Sequence, residues 1–430
     1  MDSNFISFPI KDFKRTKQQV LSWVNQFSTC CFLDNHQYQF NHHTYECAAG
    51  AGATSFIELP AGTALEQLQQ FQQKHEGWLF GHLGYDLKNE VEDLVSANPD
   101  HICFPDLFFF SPQTVLLLNQ NELCISAGNA EKAAQVFAAV SNTGVAQDQL
   151  SHANHIVFQQ RFSKQDYIET IEKLRSHILR GDCYEINFCQ EFFAENVQID
   201  PVFVYQLLSM VSPSPFAAFY KMNGKYLLCA SPERYLKKEG DTIISQPIKG
   251  TGKRDLSDTA ADEFNKERLY NSSKDRSENV MVVDLVRNDL SKICVEGTVY
   301  VEELFGIYSF PQVHQMISTI GGTLQPGLSF TDIIKKTFPM GSMTGAPKKK
   351  VMELIEKYET VKRGIFSGAV GYIKPGGDFD FNVVIRSVLY NQDSQYLSYL
   401  VGSGITFYSK AEEEYEECLL KAAAIKQVFL

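Results

Sequence analysis

The chain has 430 residues, enough for two ordinary domains or one large one, and its 44% hydrophobic and 21% charged content is that of a globular protein. A formal net charge of -12 argues against nucleic acid or an anionic membrane surface as the main partner, while a locally positive site could still take a small anion. The ten cysteines include no C-x-x-C pair and no histidine at zinc spacing, so no disulfide framework or finger is expected and a reduced cytoplasm is the expected compartment.

The N-terminus, MDSNFISFPIKDFKRTK, carries an early Asp2 and no apolar core of signal-peptide length. The most apolar run, Leu107 to Leu118, is broken by Ser111, Pro112 and Gln113, and no bilayer span is expected. Up to about residue 140, short strands mix with turns, as at residues 36–45 and 114–118, and residues 48–53 (AAGAGA) form a small-residue patch. Residues 141–155 are polar and turn-rich and read as a linker between an N-terminal subdomain, 1–150, and a second region, 151–430.

A helix follows. Ser163 is placed to cap it, Asp166 takes its third position and Gly181 follows its end, with Ile168, Ile171, Leu174 and Ile178 on one face. Residues 184–193, 226–230, 242–245 and 396–401 read as strands. Helices alternate with strands that cluster in groups, which predicts an α+β (mixed α/β) fold and not a regular parallel barrel.

Lys249 lies in S-Q-P-I-K-G-T-G-K-R, between an alternating run and a glycine turn. A phosphate loop fails on spacing, since Gly252-Lys253 is preceded five positions earlier by Pro247 and followed by Arg254. A solvated lysine at a strand end is the plain reading. Against it, the strand is not cleanly amphipathic, Lys249 can point into a polar pocket, and Gly250 permits close approach of a ligand. A nucleophilic lysine must be neutral; at an ordinary pKa only about one in 2,500 is neutral at pH 7, a cost of roughly 4.6 kcal/mol. Burial or a neighbouring cation would reduce that cost.

Two later segments are acidic. Ser272 and Asp275 suit a helix start, and Asp275 and Glu278, three apart, share a face. Ser409 and Glu412 fit a capping box, Glu414 and Glu417 repeat the spacing, and Lys421 lies one turn on. Two such carboxylate pairs meeting across a cleft would suit Mg²⁺, which takes hard oxygen ligands and keeps waters. The alternative is ordinary acidic enrichment at helix N-termini. Between them, F-P-M-G-S-M-T-G-A-P-K from Phe338 reads as a glycine turn entering a helix with Pro347 in its first turn, where free N–H groups and the Ser342 hydroxyl could hold a carboxylate or simply cap the turn. V-G-S-G-I places Gly402 and Gly404 in a strand, and Arg386 falls in an apolar strand, where a carboxylate partner is expected.

The stretches GDCYEINFCQEF, SPERYL, PIKGT, DRSENVMVVDLVRNDL, FPQVHQMIST, GSMTGAPK, GAVGYI, VVIRS, VGSGI and EEYEECLLKA, in this order, resemble the chorismate-binding enzymes, among them the anthranilate, aminodeoxychorismate, isochorismate and salicylate synthases. The resemblance covers roughly Phe162 to Phe429; the first 150 residues match loosely. It implies two large β-sheets sandwiched together with helices on the outside. PIKGT looks like the lysine-bearing aminodeoxychorismate branch, where anthranilate synthases usually have PIAGT. In that branch the lysine attacks C2 of chorismate as the 4-hydroxyl leaves, and ammonia then attacks C4 and expels it. The resemblance implies that Lys249 is the nucleophile and Glu233 the general acid, with a surface salt bridge as the plain alternative for Glu233. It makes Glu278 and Glu417 direct Mg²⁺ ligands, and Asp275 and Glu414 the outer pair. Ser342, Tyr372, Arg386 and the Gly402 and Gly404 amides would bind substrate carboxylates; Thr251 and His314 would lie beside the ring; Lys421 would close the site.

Glu185 stands where related synthases often have glutamine, and residues 32–52 lack the tryptophan-binding signature of anthranilate synthases. The chain carries no G-x-C-x-G elbow, since Cys47 lies in YECAAG and Cys183 in GDCYE, and no fused lyase is expected after the last motif. Ammonia is therefore expected from a separate glutamine amidotransferase subunit. The competing expectations are an anthranilate or isochorismate synthase, disfavoured by Lys249 and Glu185 respectively, and a non-catalytic chorismate-binding subunit.

Overall fold

The computed structural model describes residues 5–39, 41–144, 156–310 and 313–429. Every described strand pairing is antiparallel. The strands form two large sheets that share one long strand, Leu107–Leu118. From that strand the first sheet continues through Cys47–Leu59, Thr29–Asp34, Phe216–Met222, Lys225–Ser231, Ser387–Asn391 and Tyr396–Ile405 to Glu185–Ala194. The second runs through Leu79–Leu83, Ala369–Ile373, Phe379–Asn382, Arg234–Glu239 and Thr242–Gln246 to Val313–Thr323, which also pairs Ile248–Lys253 and Tyr300–Ser309.

Alternation along the strands divides the core. Cys31, Ala48, Phe80, Phe110, Tyr220 and Leu227 belong to a cluster that draws on both sheets, whereas Cys30, Phe32, Ala49, Phe219 and Leu228, one residue out of phase, pack with helices such as Phe13–Val24, Lys164–Leu179 and Ala411–Lys426. The result is the expected α+β sandwich with helices outside. Residues 5–142 enter both sheets: Thr29–Asp34 pairs Phe216–Met222, and Leu79–Leu83 pairs Ala369–Ile373. Most of the expected linker, 145–155, lies outside the described residues. Among the described residues no helix is long and apolar enough to cross a membrane.

Local signals are realised where short-range chemistry decides them. Ser163 accepts from the Asp166 N–H, and Gly181, with φ 83°, follows the Lys164–Leu179 helix. Ser272 accepts from the Asp275 N–H and starts the Ser273–Ser291 helix. Two expectations are corrected. Ser409 does not form a capping box; its Oγ accepts from the Thr406 N–H at 3.1 Å inside the preceding turn, and the helix starts at Ala411. Arg386 is not within a strand; it sits at φ 51° in a bend between Phe379–Asn382 and Ser387–Asn391.

Candidate active site

Lys249 stands on the Ile248–Lys253 strand, with its backbone tied to the Ser273–Ser291 helix. Asn279 Nδ2 donates to Lys249 O at 3.4 Å, and Ser318 Oγ donates to Asn279 Oδ1 at 2.7 Å. The amine donates to Glu185 Oε1 at 2.5 Å and lies 3.9 Å from Glu278 Oε2. Gly404 makes room for this pair: a Cβ there would collide with Lys249 Nζ and Glu185 Oε1. Burial alone would depress the Lys249 pKa, but Glu185, Glu278 and Glu417 together outweigh it and hold the amine above the usual lysine range. A buried lysine beside three carboxylates is thus an ammonium at rest.

Glu233 closes another side of the cleft. It is 4% exposed, and Ser342 Oγ, from the turn Gly341–Met343, donates to its Oε1 at 2.6 Å. Burial raises its pKa to about 7, opposed by the Ser342 hydrogen bond and by the charges of Lys249 and Arg386. A carboxyl poised there can donate a proton near neutral pH. Burial also lowers Arg386, to about 10, with Glu233 opposing. The Arg386 guanidinium has no hydrogen bond to a described side chain. A half-buried, unengaged guanidinium is free for an anionic ligand.

Gly402 and Gly404 face Cys189 and Asn187 across the ladder. The N–H groups of Cys189 and Asn187 turn the other way, to Glu359 Oε1 and Thr344 O, so the glycines occupy non-hydrogen-bonded pairs with their own amides at the open edge. Lys421 Nζ donates to Gly402 O at 3.0 Å and pairs Glu417 at 2.8 Å.

The two acidic helices converge on this edge. Lys249 senses both Glu278 and Glu417, and Lys274, unassigned by sequence, lies 3.9 Å from Glu278 and senses Glu414 and Glu417. Burial raises Glu278 and Glu414, with Asp275 and Glu417 respectively adding repulsion. Burial also acts to raise Glu417, but Lys421 and the other lysines bring its net pKa down. Among the described residues no three of these groups converge into a ready-made metal cage. The donor set, one carboxylate pair from each helix, fits a hard cation that keeps waters and takes part of its shell from substrate.

Two expected contacts, Tyr372 and His314, lie elsewhere. Tyr372 faces away from the cleft: residues adjacent in extended chain point to opposite faces, so Arg234, Asp380 and Tyr372 line a separate cavity of about 60 Å³ behind Glu233. Its ring packs against Trp78, Phe80 and Tyr45. His314 is buried with both ring nitrogens engaged, at 2.9 Å to Ser309 Oγ and 3.1 Å to Asp262 Oδ1. Thr251 is exposed two residues beyond Lys249. Glu185 is the partner that sequence reasoning left without a role; it is 64 residues from Lys249, and no local pattern marks the pair.

This cleft and fold place the chain in the family of chorismate binding enzymes, whose family model matches residues 25–427. Among curated relatives, the chain is 33% identical to aminodeoxychorismate synthase component 1 of Salmonella typhimurium, over 81% of this chain and 76% of that protein. It is 34% identical to an anthranilate synthase component I-like protein of Synechocystis sp., over 82% and 72%. Among solved structures, it superposes on anthranilate synthase component I of Streptococcus pneumoniae with a TM-score of 0.79 at 23% identity, covering 91% and 95% of the two chains, a likeness that shows the fold.

Proposed function

We propose that this chain is the chorismate-aminating component of an aminodeoxychorismate synthase, making 4-amino-4-deoxychorismate for 4-aminobenzoate and folate synthesis. The observation that carries the reading is Lys249, held at 2.5 Å by Glu185 in the same cleft as Glu233, whose pKa burial raises to about 7. Relatives named aminodeoxychorismate synthase component 1 in several bacteria support it.

In this reading chorismate is held by Arg386 and by the Gly402 and Gly404 amides. Glu278 and Glu417, backed by Asp275 and Glu414, would hold Mg²⁺, which when bound neutralises and orients a substrate carboxylate. Glu278 and Glu417 are two of the three carboxylates that keep Lys249 protonated, and a cation held by them would lessen that hold. Lys249, 14% exposed, first gives its extra proton to solvent water, and its lone pair then forms the bond to C2. The C4–O bond breaks, and Glu233 gives its proton to the departing hydroxyl, which leaves as water. Ammonia supplied by a glutamine amidotransferase partner then bonds to C4, and the C2–Nζ bond breaks with its electron pair returning to Lys249.

The test is mass-spectrometric analysis of products from the purified chain with chorismate, Mg²⁺ and ammonium. Aminodeoxychorismate is expected; anthranilate or isochorismate as the product would overturn the assignment. Glutamine used alone as well as ammonium would remove the separate amidotransferase.

A further inference from the structure

We infer that Glu185 is the docking group for ammonia, taking the second nitrogen into the place that the Lys249 amine vacates. The inference rests on the covalent reading above and assigns a subsite within it. The Glu185 side chain is 5% exposed. Its Oε1 accepts from Lys249, and its Oε2 is buried with no hydrogen-bond partner among the described residues. A buried carboxylate with an unused acceptor is costly unless a donor arrives. The resting enzyme covers half of that need with Lys249, but when Nζ bonds to the ring carbon Glu185 loses this cation at the moment the second substrate must bind.

Ammonia matches the vacancy in size and in hydrogen bonding. It is no larger than the amine head it follows, offers three N–H donors to the two carboxylate oxygens, and keeps its lone pair free for C4. Gly404 brings bare backbone up to this place, because a single added Cβ would meet both Lys249 Nζ and Glu185 Oε1. In the second step the N–C4 bond forms, the C2–Nζ bond breaks, and the electron pair returns to Nζ. Glu185 accepts hydrogen bonds throughout and exchanges no proton in that step. The returning amine then takes its place on Oε1 as the product leaves. The ligand class is thus ammonia.

The test measures ammonium and chorismate dependence separately in the full-length chain with Mg²⁺, using ammonium chloride as the nitrogen source. Glu185→Ala should raise the KM for ammonium on the order of tenfold or more and leave the KM for chorismate within about twofold. Glu185→Gln, which keeps an oxygen acceptor, should recover most of the ammonium KM. Intact-mass analysis after chorismate alone should still find substrate attached to Lys249 in Glu185→Gln. An unchanged ammonium KM in Glu185→Ala, with only kcat lowered, would overturn the inference and leave Glu185 as a holder of Lys249. If the wild-type chain formed no lysine adduct, the covalent reading would fall; the ammonium KM of the two variants would still decide whether Glu185 binds the nitrogen.

Discussion

Two ion pairs are built against one strand, Glu185–Ala194, and they are built differently. Arg363 and Glu359 clamp its middle: Arg363 bonds both Glu359 oxygens at 2.9 and 2.6 Å and donates to Met343 O and Asn187 O, while Glu359 Oε1 also accepts from the Cys189 N–H. Lys249 and Glu185 meet at the strand's start with a single 2.5 Å contact, an unused carboxylate oxygen and further carboxylates competing for the amine. The first pair is saturated and bidentate, and it fixes backbone. The second can exchange partners. A saturated buried pair marks scaffold, and an unsaturated one marks the place where a ligand completes the set.

The contrast is broken most sharply at Lys249. Lys249→Ala should reduce aminodeoxychorismate formation by about 10³-fold or more while the chain stays folded, because the nucleophile is lost. Product analysis of the variant checks it; unchanged turnover would remove covalent catalysis. Arg363→Ala should act on the fold instead. Removing one partner of a buried pair leaves the Glu359 charge uncompensated, with its Oε2 and the Met343 and Asn187 carbonyls stripped of Arg363, and should cost about 3–5 kcal/mol. Urea denaturation should show this as a lower midpoint, and an unshifted midpoint would end the scaffold reading. Gly404→Ala should keep stability near wild type but displace the Lys249 amine, with an activity loss of about 10²-fold. Circular dichroism together with turnover separates these effects.

How far this was legible in sequence follows the range of the interactions. The caps at Ser163 and Ser272, and the i,i+3 spacing of Asp275 with Glu278 and Glu414 with Glu417, are decided within one helical turn and were readable. Ser409 shows the limit even there, since its hydroxyl accepts from the Thr406 N–H and caps no helix N–H. Tyr372 entered the site through the resemblance alone, which does not say which sheet face meets a cleft, and Arg386 was misplaced because an apolar run does not show where a strand gives way to a bend. Glu185 could not be paired with Lys249, because only the packing of the two sheets brings those strands together.

The acidic pairs sharpen the comparison more gently. Glu278→Gln removes one carboxylate from the Mg²⁺ set and should raise the Mg²⁺ concentration needed for half-maximal activity on the order of tenfold, weakening chorismate binding in parallel. Titrating both ligands tests the coupling, and an unaffected Mg²⁺ titration would sink the metal assignment.

Ser342→Ala should have the smallest effect, and its sign is fixed. Burial raises Glu233 to about 7, while the Ser342 hydrogen bond favours the ionised carboxylate and holds the value down. A general acid works only while protonated, so kcat/KM should fall as pH rises through about 7. Removing the Ser342 hydroxyl takes away a donor to the ionised form, raises Glu233 further, and should move that alkaline limb upward by less than about one pH unit. The position of the limb carries the information, because lost substrate contacts would lower its height without moving it. A limb that stays in place would separate Ser342 from Glu233, and a limb that moves down would mean that the group titrating there is not the acid Ser342 touches.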